Sequence, residues 1–334
     1  MNNEDRNAAE RSNSSPGGSL PSISFIIPVY NEAENIAEVI DGILGAVSQS
    51  ANPQEFEIIV VDDGSTDRGP AVLDELGGKH LHLKVITLRK NFGKSAALMA
   101  GFDQANGEVV ITLDGDCQDD PAEIPRFLEK LEEGYDLVSG WKKERRDPLE
   151  KRITSRIFNS VVSRVTGVPL HDMNCGFKAY RAWCLRNIAL TGNLYRFLPV
   201  LVAQRGGRLA EIQVRHHPRK SGESKFGLKR YLEGILDLCT VILLSRFFQK
   251  PLYFFGLIGL PLILLGGTIG LYLVGGHIYY LLSGDVQYEL LSRPLLQISI
   301  TLFGIGLHIF LIGLLAELIL SRLPDKGYSI KHRR

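Results

Sequence analysis

From residue 22 to about residue 139 one pattern repeats: a short run of aliphatic and β-branched residues, a polar turn, then apolar positions three and four apart. Runs of the first kind predict strands at Ser24 to Val29, Phe56 to Asp62, Leu83 to Leu88, Glu108 to Leu113 and Tyr135 to Ser139. The second kind predicts helices at about Glu32 to Val47, Pro70 to Leu76, Lys94 to Ala105 and Ala122 to Glu132. Such alternation belongs to an α/β fold, a mostly parallel sheet with helices on both faces. The runs FEIIVV and EVVITL are nearly unbroken, as strands buried on both faces read, and each is followed by acidic residues. Ligands of open α/β sheets bind beyond the carboxyl ends of the strands, so Asp62, Asp63, Asp114 and Asp116 are expected at one rim.

After residue 140 the pattern changes. Residues 149 to 166 read as a basic amphipathic helix, HDMNCGFKAY leads into a strand and helix, and residues 208 to 214 read as a last strand before the polar loop HHPRKSGESKFG. Leu228 to Phe248 mixes apolar residues with Lys229, Arg230, Glu233, Asp237 and Arg246, a pattern suited to a membrane interface. Residues 251 to 282 and 294 to 316 contain no Asp, Glu, Lys or Arg. Each exceeds the roughly 20 apolar residues that span a bilayer, with Pro261 and Gly266-Gly267 as bends in the first. Basic residues flank the pair outside, at Arg246 and Lys250 and at Arg322, Lys326, Lys331, Arg333 and Arg334. The positive-inside rule therefore places the N-terminal region and both termini in the cytoplasm.

This gives five regions: a disordered polar tail over 1–21, a cytoplasmic α/β domain over 22–225, a juxtamembrane amphipathic region over 226–250, a two-helix membrane domain over 251–320 and a basic tail over 321–334. The charge balance, 38 Lys plus Arg against 37 Asp plus Glu, argues against a nucleic-acid partner. Four cysteines, at 117, 175, 184 and 239, fall at no metal-finger spacing and read as reduced thiols.

The segment LDGDCQDD follows a buried strand directly. Asp114, Asp116 and Gln118 offer hard oxygen ligands to Mg²⁺ or Mn²⁺, and such an ion would neutralise a departing diphosphate. Asp119 or Asp120 is a natural cap for the helix starting near Pro121. The first strand ends in PVYNEAENI and the second in VDDGSTD, where Asp63 can accept the imide hydrogen of a uracil while Ser65 or Asp67 caps the next helix. Gly93 and Lys94 open a helix, a position suited to an anion or to ordinary capping. Cys175 lacks a local base and reads as packing.

Five segments, PVYNE, VDDGSTD, NFGKSAALMAG, LDGDCQ and DMNCGFKAY, resemble glycosyltransferase family 2 in order and content. Within it they are similar to the polyprenyl-phosphate glycosyltransferases, the group of dolichol-phosphate mannosyltransferase and the bacterial bactoprenol glucosyltransferases. The resemblance covers residues 22 to 230, and the two spans match the bacterial glucosyltransferases, which implies a bacterial inner membrane. It implies a GT-A fold and inverting, metal-dependent transfer of one sugar from a nucleotide diphosphate to a lipid phosphate. Pro28, Tyr30, Glu32, Asp63 and Lys94 would bind the nucleotide sugar, Asp114, Asp116 and Gln118 the metal and diphosphate, and Asp172 would face the reacting centre. A turn residue is the plain alternative for Asp172. Lys142, Arg156 and Ser160 match family positions that hold the acceptor phosphate, while Arg219, Ser224 and Lys225 resemble a loop closing over both phosphates. Lys142 stands where many relatives have Arg, which leaves a point charge in place of a bidentate fork.

A phosphate monoester with a second pKa of about 6 is already an anion near neutrality, so the acceptor needs cations more than a strong base. The expected reaction takes glucose from UDP-glucose to undecaprenyl phosphate, giving a β-linked lipid monophosphate sugar. GDP-mannose or another UDP-sugar on the same acceptor is the nearest alternative, and a non-catalytic nucleotide-sugar-binding scaffold is one of another class. Gly256, Gly259, Gly266, Gly267 and Gly270 permit close helix contacts, and a homo-oligomer is expected.

Overall fold

A computed structural model describes residues 22–48, 55–143, 159–190, 192–217, 251–283 and 294–321. The chain divides into two compact units, Met1–Gly227 and Leu228–Arg334.

The first unit is built on seven strands: β1 (Ile23–Val29), β2 (Phe56–Asp62), β3 (Leu83–Thr87), β4 (Val109–Thr112), β5 (Leu137–Trp141), β6 (Lys178–Arg181) and β7 (Leu209–Gln213). They form one sheet in the order β3-β2-β1-β4-β6-β5-β7. The helices are α1 (Ile36–Ser48), α2 (Gly69–Lys79), α3 (Lys94–Gln104), α4 (Ile124–Glu132) and α5 (Leu198–Gln204). Every strand and helix expected up to residue 141 is present, with ends shifted by a few residues where turns take over.

Alternate residues of β1 serve the two faces of the sheet, as a strand period of two dictates. Phe25 and Ile27 pack with Ile36, Val39, Ile40 and Ile43 of α1 and Ile124 and Phe127 of α4, whereas Ile26 packs with Ala97 and Leu98 of α3. A Cβ at Gly101 would meet Ile26 Cγ2 at 2.5 Å, so α3 lies close to the sheet because this residue has none.

Strands β1 to β4 are parallel and β7 runs parallel to β5, while β6 is antiparallel to both β4 and β5. Lys178 at the start of β6 pairs with Thr112 at the end of β4. Reversal of this strand thus brings the segment before it, DMNCG, to the rim where the parallel strands end.

In the second unit α6 (Pro251–Ser283) and α7 (Pro294–Ser321) are each long and apolar enough to cross a membrane. At 1.5 Å per residue α6 exceeds the roughly 30 Å hydrocarbon layer, and Pro261 lies inside one continuous helix. Small residues line the α6–α7 seam: a Cβ at Gly266 would stand 2.6 Å from Phe303 N, and Ser299 Oγ donates to Gly266 O at 2.7 Å. Near the other end, the Leu252 N–H donates to Glu317 Oε2 at 3.2 Å, so a carboxylate of α7 satisfies an orphan amide in the first turn of α6. The juxtamembrane region 226–250 and most of the basic helix lie outside the described residues, residues 159–166 of the latter being helical.

Candidate active site

The loops after β1 and β2 are laced together at the carboxyl rim. Asn31, at φ 57°, donates its N–H to Ser65 Oγ at 2.9 Å and accepts the Thr66 N–H on Oδ1 at 2.8 Å. Asp67 accepts from Ala33 N–H at 3.1 Å and from Gly69 N–H at 2.8 Å, tying the first loop to the start of α2. Asp63 is buried and accepts from Phe92 N–H at 2.7 Å and Gly93 N–H at 2.8 Å, one on each carboxylate oxygen. It therefore shapes the turn that opens α3, and each oxygen keeps a second lone pair.

These loops enclose a pocket of about 300 Å³. Pro28, Tyr30, Glu32, Asp63, Lys94, Asp114 and Asp116 all line it. The residues expected to bind a nucleotide sugar thus meet on one wall system, brought from the ends of β1, β2 and β4 and the start of α3.

Behind the pocket, carboxylates and ammonium groups alternate. Lys94 donates to Asp114 Oδ1 and lies 5.1 Å from the centre of the Tyr195 ring. Lys142 pairs with Asp119 Oδ1 at 2.8 Å, and Asp119 accepts the Asp114 N–H at 3.2 Å. Buried Lys178 donates to the carbonyl oxygens of Met173, at 3.2 Å, and of Cys175. Burial alone would raise the Asp114 pKa, but Lys94 and Lys142 outweigh it and hold this carboxyl below its usual range. Asp116 goes the other way: burial, then Asp114 and Asp119, push it up to about 6. Burial also pushes the Cys175 thiol up to about 12, which suits packing and not nucleophilic attack.

Among the described residues no group of three or more His, Cys, Asp and Glu is arranged as a metal cluster. Mg²⁺ commonly takes one or two carboxylates and completes its shell with substrate phosphates and water. Asp114 and Asp116 at the pocket wall provide such a pair, and the raised pKa of Asp116 marks negative charge that a cation would compensate. Their chemistry fits the ion. Gln118 is not on the pocket wall; its backbone N–H donates to Asp116 Oδ1 at 3.3 Å and its carbonyl accepts from His217 N–H at 3.1 Å. Asp120, and not Asp119, caps the following helical turn by accepting from Ala122 N–H at 3.0 Å.

Asp172 is 1% exposed and does not line the pocket; its charge reaches Lys178, as does that of Asp114. Lys142 is buried in its pair with Asp119, so its charge is engaged inside the protein, while Ser160 is exposed on the 159–166 helix. Arg156, Arg219, Ser224 and Lys225 lie outside the described residues. Sequence reasoning passed over Lys178, Asn159 and Glu211 and gave Asp119 only a capping role; all four surround the DMNCG segment. The signal for Asn159 and Glu211 was a polar residue inside an otherwise apolar run, as in RIFNSVV and LAEIQV.

Residues 24–188 match the family described as Glycosyl transferase family 2. A dodecaprenyl-phosphate galacturonate synthase of Rhizobium johnstonii is 37% identical over 302 residues, 89% of this chain and 87% of that protein. An undecaprenyl-phosphate 4-deoxy-4-formamido-L-arabinose transferase of Yersinia pestis is 34% identical over 291 residues, 86% of this chain and 87% of that protein. In fold, the chain is similar to a glucosyl-3-phosphoglycerate synthase of Mycobacterium tuberculosis solved with Mn²⁺, UDP and glucosyl-3-phosphoglycerate. That likeness has a TM-score of 0.51 at 22% identity, over 70% of this chain and 85% of the other.

Proposed function

The chain belongs to glycosyltransferase family 2 and has its GT-A fold, and from that premise we propose that it transfers a sugar from a UDP-sugar to a polyprenyl phosphate at a membrane surface. The observation that carries this reading is the convergence of Pro28, Tyr30, Glu32, Asp63, Lys94, Asp114 and Asp116 on one pocket. An oxygen of the lipid phosphate attacks the anomeric carbon, the bond from that carbon to the diphosphate oxygen breaks, and UDP leaves with the bonding electrons. Asp63 and its loop hold the base, and Lys94 lies beside the diphosphate position. Asp114 and Asp116 would hold Mg²⁺ or Mn²⁺, which when bound would neutralise charge on the leaving diphosphate. Asp172, buried with its charge reaching Lys178, is given an orienting role in the reaction, since an acceptor that is already an anion needs no strong base.

The relatives draw the sugar away from glucose. Their names carry galacturonate and 4-deoxy-4-formamido-L-arabinose, so UDP-linked forms of these head the candidate donors, ahead of UDP-glucose and GDP-mannose. The helices α6 and α7 anchor the enzyme in the bilayer where such an acceptor resides.

Calorimetric titration with UDP tests the pocket. Binding in the presence of Mn²⁺ is expected to weaken roughly tenfold or more on adding EDTA or in Asp116→Ala, as loss of a charge-assisted contact predicts. Equal UDP affinity in all three conditions would refute the assignment of Asp116.

A further inference from the structure

The loop that carries Asp172 is held by a carboxylate that no motif singles out. Glu211, on β7, is nearly buried, with its side chain 10% exposed. Its Oε1 accepts the backbone N–H groups of His171 and Asp172, both at 3.0 Å, and its Oε2 lies 2.7 Å from His171 Nδ1. The His171 ring stacks on Trp141, with centroids 4.3 Å apart and planes 14° from parallel. Trp141 ends β5, the strand that pairs with β7 in a register placing Ser139 opposite Glu211. On the other side Asn159 Nδ2 donates to the His171 carbonyl at 2.8 Å. Two adjacent strands and a helix therefore grip the residue just before Asp172, and Glu211 grips Asp172 itself.

We infer that Glu211 is a positioning residue for the transfer reaction: its carboxylate gathers the His171 and Asp172 amides and fixes the Asp172 carboxylate in its buried place. From there the charge of Asp172 reaches Lys178. This rests on the reading that Asp172 faces the reaction. A carboxylate suits the task because it only accepts, and two adjacent N–H groups with the His171 ring occupy both its oxygens. Glutamine would place an NH₂ among those donors and release part of the loop. Displacement of a reacting-side group by about 1 Å can cost on the order of a hundredfold in rate. Neither His171 nor Asp172 lines the pocket at the ends of β1, β2 and β4.

The test is steady-state kinetics of the full-length enzyme in detergent with a UDP-sugar and polyprenyl phosphate, alongside UDP titration and thermal melting. Glu211→Gln is expected to lower kcat roughly tenfold or more, as misplacement of an orienting group predicts, while donor KM and UDP affinity stay within about twofold. His171→Ala keeps both backbone hydrogen bonds and should lose less than Glu211→Gln. Should Glu211→Gln fail to fold, Glu211→Asp, whose carboxylate is drawn back by one methylene, is read the same way. A folded Glu211 variant with unchanged kcat, beside an inactive Asp172→Asn, would overturn the positioning role alone. Full activity in Asp172→Asn would remove the assignment of Asp172 and this inference with it.

Discussion

Asp63 does two things, of which sequence reasoning names only one, the pocket role. Its oxygens anchor the Phe92 and Gly93 amides, and the same carboxylate lines the pocket. Asp63→Ala should therefore cost about 2 kcal/mol for amides left without their acceptor and abolish UDP binding as well. A variant that loses binding with an unchanged melting temperature would contradict the anchoring role. Glu57, far from the pocket, tests the electrostatics of the fold. Burial would raise its pKa, but hydrogen bonds from the Lys84 ammonium, Ser24 Oγ and Asn106 N–H outweigh it and hold it below 4.5. A carboxyl depressed in the folded state stabilises above its unfolded pKa and loses that contribution as pH falls through the folded value. The melting temperature of Glu57→Gln should lie below that of the parent at pH 7, with the gap closing under acid; a gap that persists in acid would contradict this. Residues at the rim were legible because acidic groups directly after apolar strands are exposed as a pattern. The partners of Glu211 and Asp119 were not, being backbone amides and a lysine brought from elsewhere in the fold.

At the scale of elements, the strands and helices up to residue 141 follow from apolar spacing alone. The reversed direction of β6 does not, since the residues KAYR read alike in either orientation and pairing with β4 and β5 decides. That reversal is what delivers DMNCG to the rim. In the apolar pair, glycine content signalled close packing, and the structure supplies the partner: within this chain Gly259 faces Gly306, and Gly266 faces Ser299 and Phe303. Gly266→Leu should destabilise the α6–α7 pair by about 1–3 kcal/mol, the usual cost of overpacking. Gly275→Leu, at a position with nothing within 4 Å, should be neutral. Equal melting temperatures for the two variants in detergent would contradict the seam.

For the whole molecule, near-zero net charge conceals two very different units, one carrying alternating acids and bases around a pocket and one whose long stretches 251 to 282 and 294 to 316 hold no Asp, Glu, Lys or Arg. Family and fold were readable because five ordered motifs survive in sequence. Sugar identity was not, because the converging residues, Asp63, Asp114 and Asp116 among them, are those proposed for the base and diphosphate, and no motif is assigned to the sugar. The most direct test is transfer itself: purified protein, Mg²⁺ or Mn²⁺, polyprenyl phosphate and labelled UDP-galacturonate, UDP-4-deoxy-4-formamido-L-arabinose, UDP-glucose and GDP-mannose. Label passing into lipid from a UDP-sugar, and ceasing with EDTA, is the predicted result. A folded, UDP-binding protein that moves no label from any of these donors into polyprenyl phosphate would contradict the account.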